Sequence, residues 1–319
     1  NLKEELLFKI KENGGWINCH AHIDRAYTIT PERFEQFLRP RSEKWALNDQ
    51  LRIESTVDQI YDRMARAVER LLEQGVAALA TYIDVDGLIK DKSIKAAIRL
   101  REHYGRDLTL KFLNQSSHGL FDTKRESRKW FELGAEFVDI LGGLPKADLG
   151  REDEYYDIVL STAKKMGKMA HIHVDELNLP DEHETEMLAK KVIEHGMQGR
   201  VAGIHGISLN CRPLKERKRV YRLMKRAEMM MISCPVSWMN ERRSEELSPI
   251  HNPITPVDEL VPAGITVGIG SDNIADIWMP YNDADMWLDL RAQLELARFY
   301  DVDELVKIAT SNGRKILGM

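Results

Sequence analysis

Two histidines, His20 and His22, follow an apolar stretch that begins at Trp16, and only Ala21 separates them. An apolar run of this kind is typical of a buried strand, and residues two apart on a strand direct their side chains to the same face. Neutral imidazole is the commonest protein ligand of transition metals. The pair therefore predicts half of a metal site, whose other ligands must come from elsewhere in the chain.

Further histidines and acids stand at the ends of later apolar runs. His173 is followed three residues later by Glu176 in the sequence His-Val-Asp-Glu, and His205, Asp272 and the amide Gln115 each end another run. Each residue alone would more often be a solvated side chain or a helix cap than a catalytic group. Together they form a set of imidazoles and carboxylates that favours metal-dependent chemistry at one site.

The elements that must position these residues alternate between helix and strand. After an opening helix that Asn13-Gly14-Gly15 ends, amphipathic helices alternate with apolar strands, and eight strands can be counted. Those after the first are predicted at 76–84, 108–115, 137–141, 168–175, 200–205, 229–235 and 265–272. Eight such units in about 250 residues favour a closed (β/α)8 TIM barrel, as a single domain over 1–319, over an open doubly wound sheet.

The barrel prediction directs attention to one rim, because active sites of such barrels lie at the C-terminal ends of the strands. Long connections at that rim are candidates for lids. The segment from Arg25 to about Ser55 shows no sustained helical period, contains Pro31 and Pro40, and is predicted to be a lid or substrate loop. His118 and His251 fall in loops near the same rim, where solvation is more frequent than substrate contact.

Composition excludes several classes of protein. The net charge is -5, with Lys and Arg spread along the chain, so no nucleic-acid surface is expected. No apolar run approaches the roughly 18 residues that span a bilayer, and charges interrupt the first residues, so no membrane or export segment is expected. The three cysteines are far apart and form no CxxC, which predicts thiols and a cytoplasmic location.

These residues resemble the amidohydrolase superfamily, and within it cytosine deaminase and its relatives. The superfamily pattern is carried by His20-Ala21-His22, His173 with Glu176, His205 and Gly270-Ser271-Asp272. The narrower similarity is carried by 112–115, 173–176 and 272–280. The similarity extends from Trp16 to the end of the sequence.

The resemblance implies one divalent metal ion, with zinc expected and iron or manganese as alternatives. Its ligands would be His20, His22, His173 and Asp272. Glu176 would be the proton shuttle, and His205 would orient or polarise the water or substrate. Substrate-binding roles fall on Gln115, Asn273 and Trp278, of which Trp278 could stack on or wall off a heterocycle. Asp24 would support the site, whereas His171, deeper in the same strand as His173, is expected to be a core or supporting residue.

The sequence also departs from the pattern of the family. Asn273 and Ser116 replace acids that the closest family members carry next to the ring-binding face, which leaves the substrate open. Lys146 comes only after the turn that follows the fourth strand, so the carboxylated lysine of binuclear members is not expected. Few residues precede His20 and none follow Met319, so the accessory β-sandwich of many members is not expected either, unless the sequence is trimmed.

The expected function is metal-dependent hydrolytic deamination of a small nitrogen heterocycle, pyrimidine-like first and triazine second, with release of ammonia. Hydrolysis of a cyclic amide or another C–N bond at the same site is the alternative, and a non-catalytic binding protein is a third reading. The expected partner is the small-molecule substrate, and assembly into a homo-oligomer is an expectation from the family alone.

Overall fold

A computed structural model of the chain describes residues 1–238 and 253–319. Eight parallel strands close into a barrel in chain order, which confirms the predicted (β/α)8 fold. The strands are β1 (Trp16–Asn18), β2 (Val76–Asp84), β3 (Thr109–Gln115), β4 (Ile140–Gly143), β5 (Met169–Val174), β6 (Val201–His205), β7 (Met230–Ser233) and β8 (Val267–Ile269). His251 lies outside the described residues.

The described helices surround this barrel. They are α1 (Leu2–Glu12), α2 (Phe34–Phe37), α3 (Arg41–Glu54), α4 (Val57–Glu73), α5 (Lys92–Tyr104), α6 (Ser127–Phe137), α7 (Glu152–Met166), α8 (Glu184–His195), α9 (Leu214–Arg226), α10 (Pro235–Trp238), α11 (Val257–Leu260), α12 (Met286–Leu296), α13 (Val302–Ala309) and α14 (Ser311–Ile316). Among the described residues, no helix is both long and apolar enough to cross a bilayer.

Helix α4 shows how the sequence specifies these elements. Thr56 and Gln59 form a capping box that satisfies backbone donors at its N-terminus. Its apolar residues recur at helical spacing, and Ile60, Met64 and Leu71 are fully buried against the barrel. Burying each side chain of this size contributes about 1.5–3 kcal/mol, so the helix is held mainly by this face.

The barrel wall is closely packed beneath the candidate site. A Cβ atom added to Gly142 on β4 would lie 2.1 Å from the carbonyl oxygen of Asn114 on β3 and 2.5 Å from the ring of Tyr82. No side chain fits that gap, so glycine is required there. The Tyr82 hydroxyl donates a 2.6 Å hydrogen bond to the carbonyl of His171, which ties β2 to β5 across the interior.

The segment from Arg25 to about Ser55, predicted to be a lid or substrate loop without a sustained helical period, contains a helix. Helix α3 occupies 14 of its residues, from Arg41 to Glu54. The buried face of α3 is polar, since Asn48 and Arg52 are each about 2% exposed. Hydrophobic periodicity therefore could not reveal this helix.

Helix α3 is held to the barrel by charged side chains. Arg52 Nε lies 3.0 Å from Asp84 Oδ2 at the end of β2, and its guanidinium also pairs closely with Asp86. Asp49 accepts from Arg52 and lies 2.9 Å from Nε2 of His118, the loop histidine that follows β3. This ion-pair network fixes α3 over the C-terminal rim.

Candidate active site

Three histidines converge at the C-terminal rim of the barrel. Strand β1 ends at Asn18, so His20 and His22 lie just beyond the strand and not on it as predicted. Their ring centroids are nevertheless 4.9 Å apart, and the ring of His173 at the end of β5 lies 5.0 Å from that of His20. All three side chains are buried. One nitrogen of each ring falls within 4.8 Å of the others, a spacing that could hold a metal ion.

A carboxylate from β8 faces these rings. Asp272 follows β8, and its backbone N–H donates a 2.9 Å hydrogen bond to the carbonyl of His20. Its Oδ1 atom lies 3.3 Å from His20 Nε2 and 3.4 Å from His22 Nε2. Asp272 has a φ of +58°, a left-handed conformation that is costly for a residue with a side chain and is held here by the neighbouring strands.

The protonation states suit a divalent cation. Burial, with a contribution from His20, lowers the pKa of His173 to about 4, and burial also lowers the pKa of His22 well below its usual range. Both rings are therefore neutral at pH 7. Burial opposes ionisation of Asp272, but the close approach of His20, followed by that of His205 and His22, holds the pKa of Asp272 well below its usual range. The site thus offers neutral imidazoles and a carboxylate.

The hydrogen bonds of the histidines also suit a divalent cation. Nδ1 of His173 donates to the carbonyl of Gly143 at 2.9 Å, which leaves a lone pair on Nε2. Neither ring nitrogen of His20 has a hydrogen-bond partner among the described residues, although the ring is buried. A buried polar nitrogen without a partner costs about 1–3 kcal/mol. A divalent metal ion would take up this lone pair, so the donor set fits such an ion.

His205 lies opposite this group at the end of β6. Its Nε2 atom is 3.8 Å from Asp272 Oδ2, and its Nδ1 atom accepts a 2.8 Å hydrogen bond from the indole N–H of Trp238. Burial lowers the pKa of His205 to about 3, so the ring is neutral. The backbone of His205 has a φ of +76°, and Thr255 donates a 2.5 Å hydrogen bond to its carbonyl.

Glu176 follows β5 and lines the same cavity. The residues on either side of it are fixed through the backbone: Leu177 N–H donates to Glu182 at 2.8 Å, and Asp175 N–H donates to Glu184 at 2.6 Å. Lys146, in the turn after β4, pairs closely with Glu182 and lies 3.4 Å from Glu184. The position of Glu176 is thus held by two buried acids that share one cation.

These residues surround a cavity of about 630 Å³. The predicted site residues on its wall are His22, Gln115, His173, Glu176, His205, Asp272, Asn273 and Trp278, while His20 lies behind them against Asp272. The rings of Trp278 and Trp45, the latter from α3, lie 5.0 Å apart along one side. The long connection after β1 therefore contributes to the cavity wall.

Several wall residues were not identified from the sequence: Arg25, Lys44, Trp45 and Trp238. Arg25 and Trp238 follow β1 and β7, so the rule that barrel sites lie beyond strand ends was the available signal. Lys44 and Trp45 belong to the segment predicted as a substrate loop, but no residue within it was singled out.

Several residues of the cavity wall carry polar atoms that lack a hydrogen-bond partner among the described residues. Gln115 Oε1, Asn273 Oδ1, and Nε and Nη1 of Arg25 are buried without hydrogen-bond partners among the described residues. Arg25 is flanked at 3.7 Å by Asp276 and at 3.9 Å by Asp84. The residues of the wall therefore include two unsatisfied acceptors and a cationic donor.

Two predicted supporting residues lie outside the cavity wall. Asp24 Oδ2 accepts from the backbone N–H of Asp84 at 2.7 Å and from Ser93 at 3.1 Å, so it joins β2 and α5 to the segment after β1. His171 lies deeper in the barrel, where its Nε2 is 2.9 Å from the carbonyl of Ile316. Both are buried parts of the scaffold under the site.

Comparison with known proteins adds an independent line of evidence. The family model described as "Amidohydrolase family" matches residues 15–319. An uncharacterized protein of Haemophilus influenzae is 46% identical over 258 residues, which are 80% of this chain and 93% of that protein. N-isopropylammelide isopropyl amidohydrolase of Pseudomonas sp. is 28% identical over 315 residues, which cover 96% of this chain and 74% of that enzyme.

Solved structures share the fold. The 5-methylcytosine deaminase of Klebsiella pneumoniae, liganded with 5-fluorocytosine, superposes with a TM-score of 0.84 at 22% identity, over 95% of this chain and 74% of that chain. The N-isopropylammelide isopropylaminohydrolase of Burkholderia multivorans superposes with a TM-score of 0.77 at 19% identity, over 96% of this chain and 77% of that chain.

Proposed function

Because this chain belongs to the amidohydrolase family and is a hydrolase of C–N bonds other than peptide bonds, we propose that it deaminates a small nitrogen heterocycle and releases ammonia. The observation that carries this proposal is the carboxylate of Asp272 facing His20 and His22 at 3.3 and 3.4 Å, beside a cavity that Glu176 also lines. Metal ligands and a proton-transfer group thus border one space large enough for a heterocycle.

We propose His20, His22, His173 and Asp272 as the ligands of a single zinc ion, with iron or manganese as alternatives. When bound, such an ion would supply activated water at neutral pH, because it lowers the pKa of the water to about 7. Three imidazoles and one carboxylate are donor types that such an ion takes from proteins, so these residues would hold it. Lys146 is engaged by Glu182 and Glu184, which supports a mononuclear site.

The chain's own carboxyl groups would move the protons. Asp272 can take a proton from the attacking water, and the Glu176 carboxyl can protonate a ring nitrogen and then the departing amine. Nε2 of His205 faces Asp272 and would orient the reacting oxygen. In the balanced reaction, water replaces the amino group with a carbonyl oxygen, and ammonia leaves with the transferred protons.

The substrate class follows from the atoms of the wall that lack partners. Gln115 Oε1 and Asn273 Oδ1 would accept hydrogen bonds from N–H groups on a ring, and the Arg25 guanidinium would donate to an exocyclic oxygen. The rings of Trp45 and Trp278 would flank a planar heterocycle. This pattern supports a pyrimidine-like ring first and an aminotriazine second.

A second candidate is hydrolysis of another C–N bond at the same metal site, with an alkylamine as the leaving group or with ring opening. The observation that favours it is the apolar portion of the wall, formed by Phe37, Leu38 and Trp45, in a cavity of about 630 Å³. The cavity has room for a substituent larger than an amino group, and these apolar side chains would contact it.

The test combines metal analysis with product analysis. The purified protein would be assayed for zinc, iron and manganese content and for ammonia release from cytosine, isocytosine, other aminopyrimidines, purines and aminotriazines with and without N-alkyl groups. Deamination exchanges NH for O in the product mass, whereas ring opening adds a whole water. A loaded metal site with ring-opened products would overturn deamination, and ligand binding with neither metal nor turnover would favour the non-catalytic reading.

The three cysteines are buried thiols, which supports a reducing compartment, and we propose a cytoplasmic location on that basis. Fractionation of cells that express a tagged full-length chain tests it.

A further inference from the structure

Trp238 makes a directed contact with the back of the His205 ring. Trp238 is the last residue of α10, directly after β7, and its indole nitrogen lies 2.8 Å from Nδ1 of His205. The two rings cross at 69° with centroids 5.0 Å apart. Both residues are buried, since Trp238 has 7% and His205 has 1% of its surface exposed. Water therefore does not compete for this hydrogen bond.

This contact determines where the imidazole carries its proton. The indole N–H is a donor only, so Nδ1 of His205 must be the acceptor. An imidazolium, or the tautomer with hydrogen on Nδ1, would place two N–H groups against each other. The one ring hydrogen therefore lies on Nε2, the nitrogen that faces Asp272 at 3.8 Å.

The neighbouring histidine on β5 has the opposite arrangement. His173 directs Nδ1 to the carbonyl of Gly143, an acceptor only, so its hydrogen is on Nδ1 and its lone pair is on Nε2. His173 and His205 thus stand at the ends of adjacent strands and present different atoms to the same cavity. One presents a lone pair and the other an N–H group.

We propose that Trp238 is a positioning residue that fixes the Nε2–H tautomer of His205 and thereby keeps His205 out of the metal coordination sphere as a hydrogen-bond donor. Distance alone would admit His205 as a ligand, because it forms with His20 and Asp272 a group whose ligand atoms lie within 4.8 Å of one another. The inference concerns the site assigned under the proposed function and rests on it.

Separate contacts hold the backbone of His205 and orient its ring. Thr255 fixes the carbonyl of His205 at 2.5 Å, whereas Trp238 touches the imidazole. Replacing Trp238 should therefore remove the preference for the Nε2–H tautomer of His205, while the backbone at the end of β6 stays in place. Thr255→Val provides the matched comparison, since it removes a hydrogen bond to the same residue but leaves the ring contact in place.

The direct test is the tautomer of His205, read by long-range ¹H–¹⁵N correlation spectra of the full chain labelled with ¹⁵N-histidine, with and without zinc. The wild-type protein and Thr255→Val should show hydrogen on Nε2. Trp238→Phe should show the Nδ1–H tautomer or a mixture. An Nδ1–H signal in the wild type, or an unchanged signal in a folded Trp238→Phe protein, would overturn the proposal.

Kinetics supply a second readout. Partners that orient an active-site imidazole typically contribute about 10- to 100-fold, so Trp238→Phe should lower kcat by roughly that factor and change KM less. In a His205→Asn background, Trp238→Phe should cost nothing further, because no tautomer remains to be selected. If the wild type releases no product from any substrate, the proposed function fails, yet the spectra still decide the role of Trp238.

Discussion

Oδ1 of Asp272 lies 3.3 Å from Nε2 of His20, although both residues are almost completely buried. A short approach of a carboxylate to an imidazole nitrogen without a hydrogen bond between them is what a shared cation would stabilise. We therefore expect Asp272→Asn to lose most of its metal and at least about 100-fold in ammonia release. Metal analysis and activity are measured on the same preparation. Asp283→Asn, an exposed residue in the following loop, should retain both.

Glu176→Gln should separate metal binding from proton transfer. Glu176 lines the cavity but is not among the groups that could hold a metal ion, so the variant should keep its metal content. The amide cannot deliver a proton to a ring nitrogen, and general acid–base catalysis typically contributes about 10²- to 10⁴-fold. Ammonia release should fall by that order. Undiminished turnover in Glu176→Gln would assign the proton shuttle to another group.

Lys146→Met tests the cation that lies against the two acids behind Glu176. Glu182 and Glu184 are both buried, and removal of Lys146 should lower the free energy of unfolding by about 3 kcal/mol, the low end of the range for a broken buried ion pair, because Lys146 itself is partly exposed. Lys129→Met, which breaks an exposed pair with Glu126, should cost under about 1 kcal/mol. Urea unfolding curves of the two variants measure the difference, and equal losses would mean that the Lys146 pair behaves as a surface contact.

The sequence predicts which residues gather at this rim, because active sites of such barrels lie beyond the C-terminal ends of the strands. Gln115, His173, His205 and Asp272 each close an apolar run, and that position alone brought them to one rim in the prediction. The eightfold alternation predicted the barrel for the same reason: strands buried on both faces leave continuous apolar segments.

Other features could not be predicted because their residue types are ambiguous. A tryptophan is more often core packing than a hydrogen-bond donor to an imidazole, and only the 2.8 Å contact distinguishes these roles for Trp238. The buried face of α3 carries Asn48 and Arg52, so its burial depends on acids that are distant in sequence. Ion pairs between residues that are distant in sequence depend on the tertiary fold. They leave no periodic pattern of apolar residues in the local sequence.

Glu184 should make the stability of the protein depend on pH, and a single substitution can separate its contribution from those of other groups. Burial raises the pKa of Glu184 to about 8, against an ordinary value of 4.5, although Lys146 opposes the shift. Between these values the folded state holds a proton that the unfolded state has lost. The contribution of this group to stability is therefore complete below about pH 4.5 and is lost as the pH rises through about 8.

Glu184→Gln should flatten this part of the profile, because the amide oxygen can still accept the backbone N–H of Asp175 but does not ionise. Between about pH 5.5 and about pH 8.5, we expect the free energy of unfolding of the wild type to fall by roughly 3 kcal/mol more than that of the variant. Glu102→Gln, an exposed change on α5, should follow the wild type. Parallel profiles for wild type and Glu184→Gln would mean that Glu184 keeps its charge throughout and that Lys146 alone compensates for its burial.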